Sequence, residues 1–322
     1  MKKRGKPIRH KRPARSSLQL AIGVDLGGTN VRAGLVSSTG KILKLAVSSS
    51  NAGEGRGRVL ETVTDVISKV FDKRVVGIGV GVPGQVDDGK IVKLPNLPDL
   101  DGVDITAFLQ KRFRKPVLVN NDAKCFALAE ARFGQGKGAK RVAGLILGTG
   151  AGCGIVLDGK MYTGRDNLAG EIGMIHYRAT MLEDYVAGKF IQTRAEELKL
   201  PDTDPAAVAR DAAGKHLLTH AEEVRLESHD LLRPEEVQKR AKKIFDELGY
   251  HLGYLLSIII CAYNPDVIVL GGGVSKAHEH FWKAMKQSLE MNLEYRATVN
   301  TKIAMSKMEE AGVVGAATMW MK

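Results

Sequence analysis

The chain of 322 residues has only three cysteines, Cys125, Cys153 and Cys261, and no two of them stand at a Cys-x-x-Cys spacing. That argues against a disulfide framework and a cysteine-ligated metal cluster, and it fits a reducing compartment, so a cytoplasmic location is expected. Long apolar runs are also missing. The longest lies near residues 255–262, well short of the roughly 20 residues that a membrane span takes. No apolar stretch follows the basic residues after Met1, so neither a secretory leader nor a membrane partner is expected. Acid is absent from residues 1–18, which hold eight Lys and Arg side chains. Taking those eight from the 48 basic residues leaves a net charge of only +4 against 36 acidic ones, so the formal +12 is mostly a property of this tail. With Pro7 and Pro13 and almost no apolar residues, the tail is expected to be disordered and solubilising. It offers anionic surfaces a non-specific contact, not sequence-specific recognition of nucleic acid. The composition, 44% hydrophobic and 26% charged, is that of a globular protein long enough for two domains.

Two glycine-rich hairpins of one design dominate what is present. The first is IGVDLGGTNVRAGLV at 22–36 and the second LILGTGAGCGIVL at 145–157. Each reads as strand, tight Gly/Thr turn, strand. Further strands are expected at 41–47, 75–82, 117–120, 266–270 and 301–305, and a turn at Asp158-Gly159. Helices are expected at 58–71, 104–113, from Asp122 to about Phe133, at 276–291 and at 310–321. Residues 182–263 read as mostly helical, with loops near 201–205 and 228–234, and 234–263 as one long helix or two broken ones. No helix separates the strands between 19 and 47, which excludes a purely parallel Rossmann sheet. The order predicts an α/β fold with an internal duplication and mixed sheets, each with an antiparallel hairpin at one edge.

Several short motifs fail on inspection. Gly79, Gly81 and Gly84 match G-x-G-x-x-G, but Pro83 and the lack of a following helix spoil a pyrophosphate site. Residues 84–90 begin like a P-loop, yet Ile91 stands where a Ser or Thr would bind magnesium. His216 and His220 are four apart, but Leu217 replaces the Glu of a zinc protease motif, so they read as surface histidines, as do His278 and His280.

The hairpins carry more. Asp25, Gly27, Gly28, Thr29 and Asn30 place an acid, two glycines, a hydroxyl and an amide within six residues. Glycines let backbone N–H groups approach a phosphate closely, Thr29 can donate a hydrogen bond, and Asp25 can hold Mg2+ directly or through water. Gly148, Thr149 and Gly150 form the matching loop. Between them, the strand at 119–123 ends in Asn121 and Asp122. A carboxylate there can take a proton beside a gripped phosphate chain, or it can cap the helix that follows.

These residues resemble the ROK family of sugar kinases and repressors, within the actin/hexokinase-like ATPase superfamily. The resemblance is carried by DLGGTN at 25–30, VPGQVD at 82–87, PNL at 95–97, NNDA at 120–123 and LGTGAGCG at 147–154. AGEIG at 169–173, LEDYVAG at 182–188 and VIVLGGGVS at 267–275 continue it. They cover nearly everything after Leu18, in the family's order. The resemblance implies two RNase H-like (actin-like ATPase) domains around an interdomain cleft, one formed by 19–120 with 306–322, the other by 121–305 with a helical insertion. It implies that ATP with Mg2+ lies against the two loops, with adenosine near Gly271, Gly272 and Gly273. Sugar contacts would fall on Gly84, Asn96, Asn121, Asp122, Glu171 and Glu183, with Asp122 as the base. A homodimer is also a family expectation.

Two departures stand out. Many members carry a histidine directly after GEIG and a cysteine cluster soon after, which together bind structural zinc. Here Met174 follows Gly173, and 175–182 contain no cysteine. His176 lies two positions late as a replacement sugar contact. The expected activity is hexose phosphorylation with glucose leading. N-acetylglucosamine, N-acetylmannosamine, mannose and fructose stay open as substrates, and polyphosphate stays open as donor. The family's repressors begin with a winged helix-turn-helix, for which the 18 residues before the first strand lack both length and periodicity, so a sugar-sensing regulator is the weaker expectation. Protein purified without added metal is expected to contain no stoichiometric zinc by metal analysis. One zinc per chain would contradict the reading of residues 174–182.

Overall fold

A computed structural model describes residues 18–215, 232–294 and 300–321. The basic tail before Leu18, the pair His216 and His220 and most of the loop expected at 228–234 lie outside the described residues.

The first half opens with three antiparallel strands, β1 (Leu20–Leu26), β2 (Asn30–Ser37) and β3 (Ile42–Ser49). Helix α1 (Arg56–Val70) then leads to β4 (Ile78–Val82), a small hairpin of β5 (Gln85–Asp87) and β6 (Lys90–Lys93), α2 (Ile105–Phe113), β7 (Val117–Asn121) and α3 (Asp122–Phe133). The second half repeats the plan with β8 (Arg141–Leu147), β9 (Ala151–Leu157) and β10 (Lys160–Tyr162). After a two-strand ribbon, β11 (His176–Tyr177) and β12 (Thr180–Met181), come α4 (Gly188–Glu197), α5 (Pro205–Ala212) and α6 (Pro234–Tyr263). The half closes with β13 (Val267–Gly271), α7 (His278–Asn292), β14 (Lys302–Met305) and α8 (Ala311–Thr318).

The sheet orders are β3-β2-β1-β4-β7 and β10-β9-β8-β13-β14. In each, two antiparallel pairings are followed by two parallel ones. The expected α/β duplication with mixed sheets is therefore realised strand for strand. These are two RNase H-like units flanked by helices around a cleft. The hairpin β5–β6 was not anticipated. Its turn, Asp88-Gly89, has both residues at positive φ, 42° and 77°, the two-residue turn that such a dipeptide favours. The expected strand at 75–82 begins only at Ile78, and the final helix ends at Thr318 rather than 321. Residues 234–263 form one unbroken helix. It is long and apolar enough to cross a membrane, but it is mostly buried inside the protein, packing against α7 and α5.

The topology crosses over between the halves. Helix α3 follows the first sheet in sequence yet lies on β8 and β9, while α8 follows the second sheet and lies on β1 and β4. The two helices also pack on each other, and a shared apolar layer of Phe126, Ala127, Val142, Val156, Val313 and Ala317 fills the space between the sheets. The contacts are backbone-close. A Cβ on Gly315 would stand 1.8 Å from the Cys125 carbonyl oxygen, and one on Gly23 the same distance from that of Val313. Substitution Gly315→Ala is expected to force α3 and α8 apart and destabilise the fold by about 1–3 kcal/mol or more. Thermal denaturation reads this as a lower Tm, and an unchanged Tm would contradict the contact.

Candidate functional site

Strand register assembles the centre of the cleft. Asp25 on β1 lies beside Gly81 on β4, and Gly81 lies beside Asn120 on β7. The parallel strands thus end together, the position where open α/β sheets present their ligand sites. Chain direction then changes at once from β7 into α3. The cap of α3 is Asn121, not Asp122: its Oδ1 accepts from the amides of Ala123 (2.9 Å) and Lys124 (3.2 Å). Its Nδ2 donates to the Gly84 carbonyl at 3.2 Å, which leaves one amide hydrogen. Asp122 occupies the first helical position, with Oδ1 accepting from the Ala123 amide at 2.8 Å.

The electrostatics favour a base at neutral pH. Desolvation pushes the Asp122 carboxyl up to about 7, helped by the nearby charges of Asp25 and Glu171 and opposed by the hydrogen bond from the Ala123 amide. Asp25 is raised too, by burial and by Glu310, against the opposing pull of Arg32, whose guanidinium stands 3.9 Å away. Two partly buried carboxylates of like charge make a setting that a hard divalent cation would relieve. Among the described residues, no three His, Cys, Asp or Glu side chains are grouped to hold a metal by themselves, so a cation at Asp25 would need oxygens from a ligand.

The two glycine loops present free donors. In the first, Ser50 holds the carbonyls of Gly28, through its hydroxyl, and of Thr29, through its amide at 2.8 Å. Gly27 N–H bonds Asn30 O at 2.9 Å, and Gly148 N–H bonds Gly150 O at 2.9 Å. The amides of Gly28, Thr29, Thr149 and Gly150 have no protein acceptor among the described residues. A cavity of about 970 Å³ opens beside them and is lined by Asn30, Arg32, Gly148, Thr149 and Gly273. That is the upper end of ordinary small-molecule sites. Gly271 and Gly272 are not part of that lining and pack against Phe126 and the Leu147 backbone. Lys189, Arg210, Lys215 and Lys276 also line the cavity and, with Arg32, outnumber the acids Asp204 and Glu279 there, so its walls suit a polyanion. Sequence reasoning missed these cations, because they lie on α4, on and after α5, and past β13, elements that meet only in the fold.

The opposite side is polar. Gly28 abuts Asn96, whose Cβ would be 2.9 Å from a Cβ on that glycine, so the PNL turn lies against the first loop. Gly84 is wedged against Lys93 in the β5–β6 hairpin. Glu183 reaches the second loop, where its Oε2 accepts from Ala151 N–H at 3.2 Å. Glu171 is held by Lys124, 3.1 Å from its Oε1. Met174 is exposed, as is His176, which opens β11 opposite Met181. The ribbon that carries them is anchored by rings. His251 sits among Tyr177, Tyr185 and Phe190, with ring centroids 5.0–5.6 Å away, and shares a 3.2 Å hydrogen bond with the Tyr177 hydroxyl. Burial pushes His251 down to about 4, so it is neutral at pH 7 and acts as an apolar ring in this cluster. The sequence pattern offered no sign of the cluster, since its members come from 177–190 and 251.

The profile of the ROK family matches residues 21–322. A glucokinase of Thermotoga maritima is 31% identical over 306 residues, covering 92% of this chain and 96% of that protein. An N-acetylgalactosamine kinase of Shewanella sp. is 32% identical over 265 residues, covering 80% and 82%. The crystal structure of a ROK family glucokinase from Streptomyces griseus, in complex with glucose and AMPPNP, superposes with a TM-score of 0.72 at 26% identity. That match covers 93% of this chain and 98% of that one.

The Asp122 carboxyl gives this site a pH signature. The native state keeps this proton to about pH 7, while the ordinary value is 3.8. The group therefore costs stability as pH rises across that interval, because the native state binds more protons there. Asp25→Asn is expected to lower the Asp122 value by removing a neighbouring negative charge. Carboxyl-carbon NMR titration of both forms checks this, and an unchanged midpoint would contradict the coupling.

Proposed function

The chain belongs to the ROK family, and from that premise we propose that it is an ATP-dependent hexose kinase, with glucose as the leading substrate. The observation that carries the reading is Asp122. A carboxylate that titrates near neutrality stands at a helix N-terminus between two loops with unpaired amides. A sugar hydroxyl is a weak nucleophile. Asp122 accepts its proton as the oxygen attacks the terminal phosphorus of ATP, and the bond to the β-phosphate oxygen breaks to leave ADP. Such general-base assistance contributes roughly 10²–10⁴-fold. The amides of the two loops and the cations of the cavity orient the phosphates and stabilise charge on the transferring group. Asp25 would hold Mg2+, which would neutralise part of that charge.

On the sugar side, Gly84, Asn96, Asn121, Glu171 and Glu183 offer carbonyls, amides and carboxylates suited to a polyol. Met174, where the family's histidine would stand, favours a second reading on this side. The substrate in that case is another hexose or an N-acetylhexosamine, as the name of the Shewanella relative indicates for that protein.

Asp122→Asn is expected to leave ATP binding nearly unchanged and the fold at least as stable at neutral pH, while lowering kcat by about 10²-fold or more. Near-normal turnover would overturn the base assignment. A coupled-assay panel of hexoses and N-acetylhexosamines with Mg-ATP decides between the two sugar readings.

A further inference from the structure

Lys124 is among the largest fully buried side chains of the described residues, 1% exposed, on the first turn of α3 two residues after Asp122. A buried ammonium is costly unless its protons are matched by acceptors. Its Nζ donates to the Asn167 carbonyl at 2.6 Å and to Glu171 Oε1 at 3.1 Å. Asn167 in turn donates from Nδ2 to the Val86 carbonyl at 2.8 Å, across the cleft on the β5–β6 hairpin. One cation therefore joins the helix that bears the base, the loop that bears Glu171, and through Asn167 the wall formed with Gly84.

We infer that Lys124 is the positioning residue of the sugar side, locking one oxygen of Glu171 so that the other faces the sugar at a set distance from Asp122. The inference rests on the reading of Glu171 as a sugar ligand. Glu171 Oε1 is engaged by the ammonium, so Oε2 is the oxygen wholly open to a sugar hydroxyl or amide N–H. The ammonium also answers the charge of a carboxylate that adds to the repulsion around Asp122. Without it, Glu171 would be free to turn.

The test is a cycle of Lys124→Met, Glu171→Gln and the double variant, assayed with the best hexose of the panel and Mg-ATP. Each single change is expected to raise the sugar KM by about ten- to a hundredfold, the loss that follows removal of a hydrogen bond to a charged group. The KM for ATP is expected to stay within about twofold, since neither group reaches the phosphate loops. The double variant is expected to be no worse than the poorer single one, because the two residues act as a unit. A sugar KM unchanged by Lys124→Met, or multiplicative effects, would overturn the inference. If Glu171→Gln itself leaves the sugar KM unchanged, the sugar-side reading fails instead. Where Lys124→Met does not fold, the wild-type protein supplies the answer. The side-chain nitrogen resonance of Lys124 is expected to shift on adding that hexose alone, and not to shift in Glu171→Gln. A resonance insensitive to sugar in the wild type would reject the role.

Discussion

The backbone contact between α3 and α8 is the constraint on which the rest of the structure depends. Each helix follows one sheet in sequence and covers the other. With Gly315 against the Cys125 carbonyl and Gly23 against that of Val313, backbone meets backbone at these two points, between the helices and between α8 and β1. Close packing of this kind behaves as a rigid solid, because displacing one element opens voids elsewhere. The N-terminus of α3 is therefore held relative to both sheets at once. That is why Asp122 can belong to a helix seated on the second sheet and still stand at the end of the first.

Charge is arranged around that helix start. Asp25, Asp122 and Glu171 are carboxylates in a partly buried setting, and their mutual repulsion adds to desolvation in raising Asp122. Two cations answer them from opposite sides, Arg32 toward Asp25 and Lys124 toward Glu171. Asp122 has no such partner among the described residues. Burial and the neighbouring charges thus push its carboxyl up to about 7, a base poised near neutral pH. On the far side, the cavity cations and the unpaired loop amides favour a polyanion. The site is divided into a phosphate side rich in donors and a sugar side rich in acceptors.

Much of this was legible in the chain. The two hairpins, the duplication and the strand ending at Asp122 follow from periodicity and turn chemistry, which are local. The strand boundaries came out within a few residues because apolar runs and Gly turns punctuate them. The β5–β6 hairpin was missed although Asp88-Gly89 signalled it, since the same residues suggested a phosphate loop. The helix cap passed to Asn121 because its side chain, one residue earlier, reaches the amides of Ala123 and Lys124. Lys124 left a trace, a lone lysine in the otherwise apolar stretch 123–129, but its partners lie 43 and 47 residues away.

What the sequence determined by itself is the set of parts: two Gly loops, a carboxylate at the start of a helix, a repeated order of strands, and a stretch at 175–182 without cysteine. Each rests on interactions between residues a few positions apart, so it can be read along the chain. Only the tertiary structure decided how the parts act. It brought Asp25 alongside Asp122 through the register of β1, β4 and β7, buried Lys124 against Glu171, and secured the cysteine-free ribbon with the rings around His251. Those are long-range contacts, and their burial sets both the charge of Asp122 and the hold on Glu171, because desolvation depends on what the whole fold brings near.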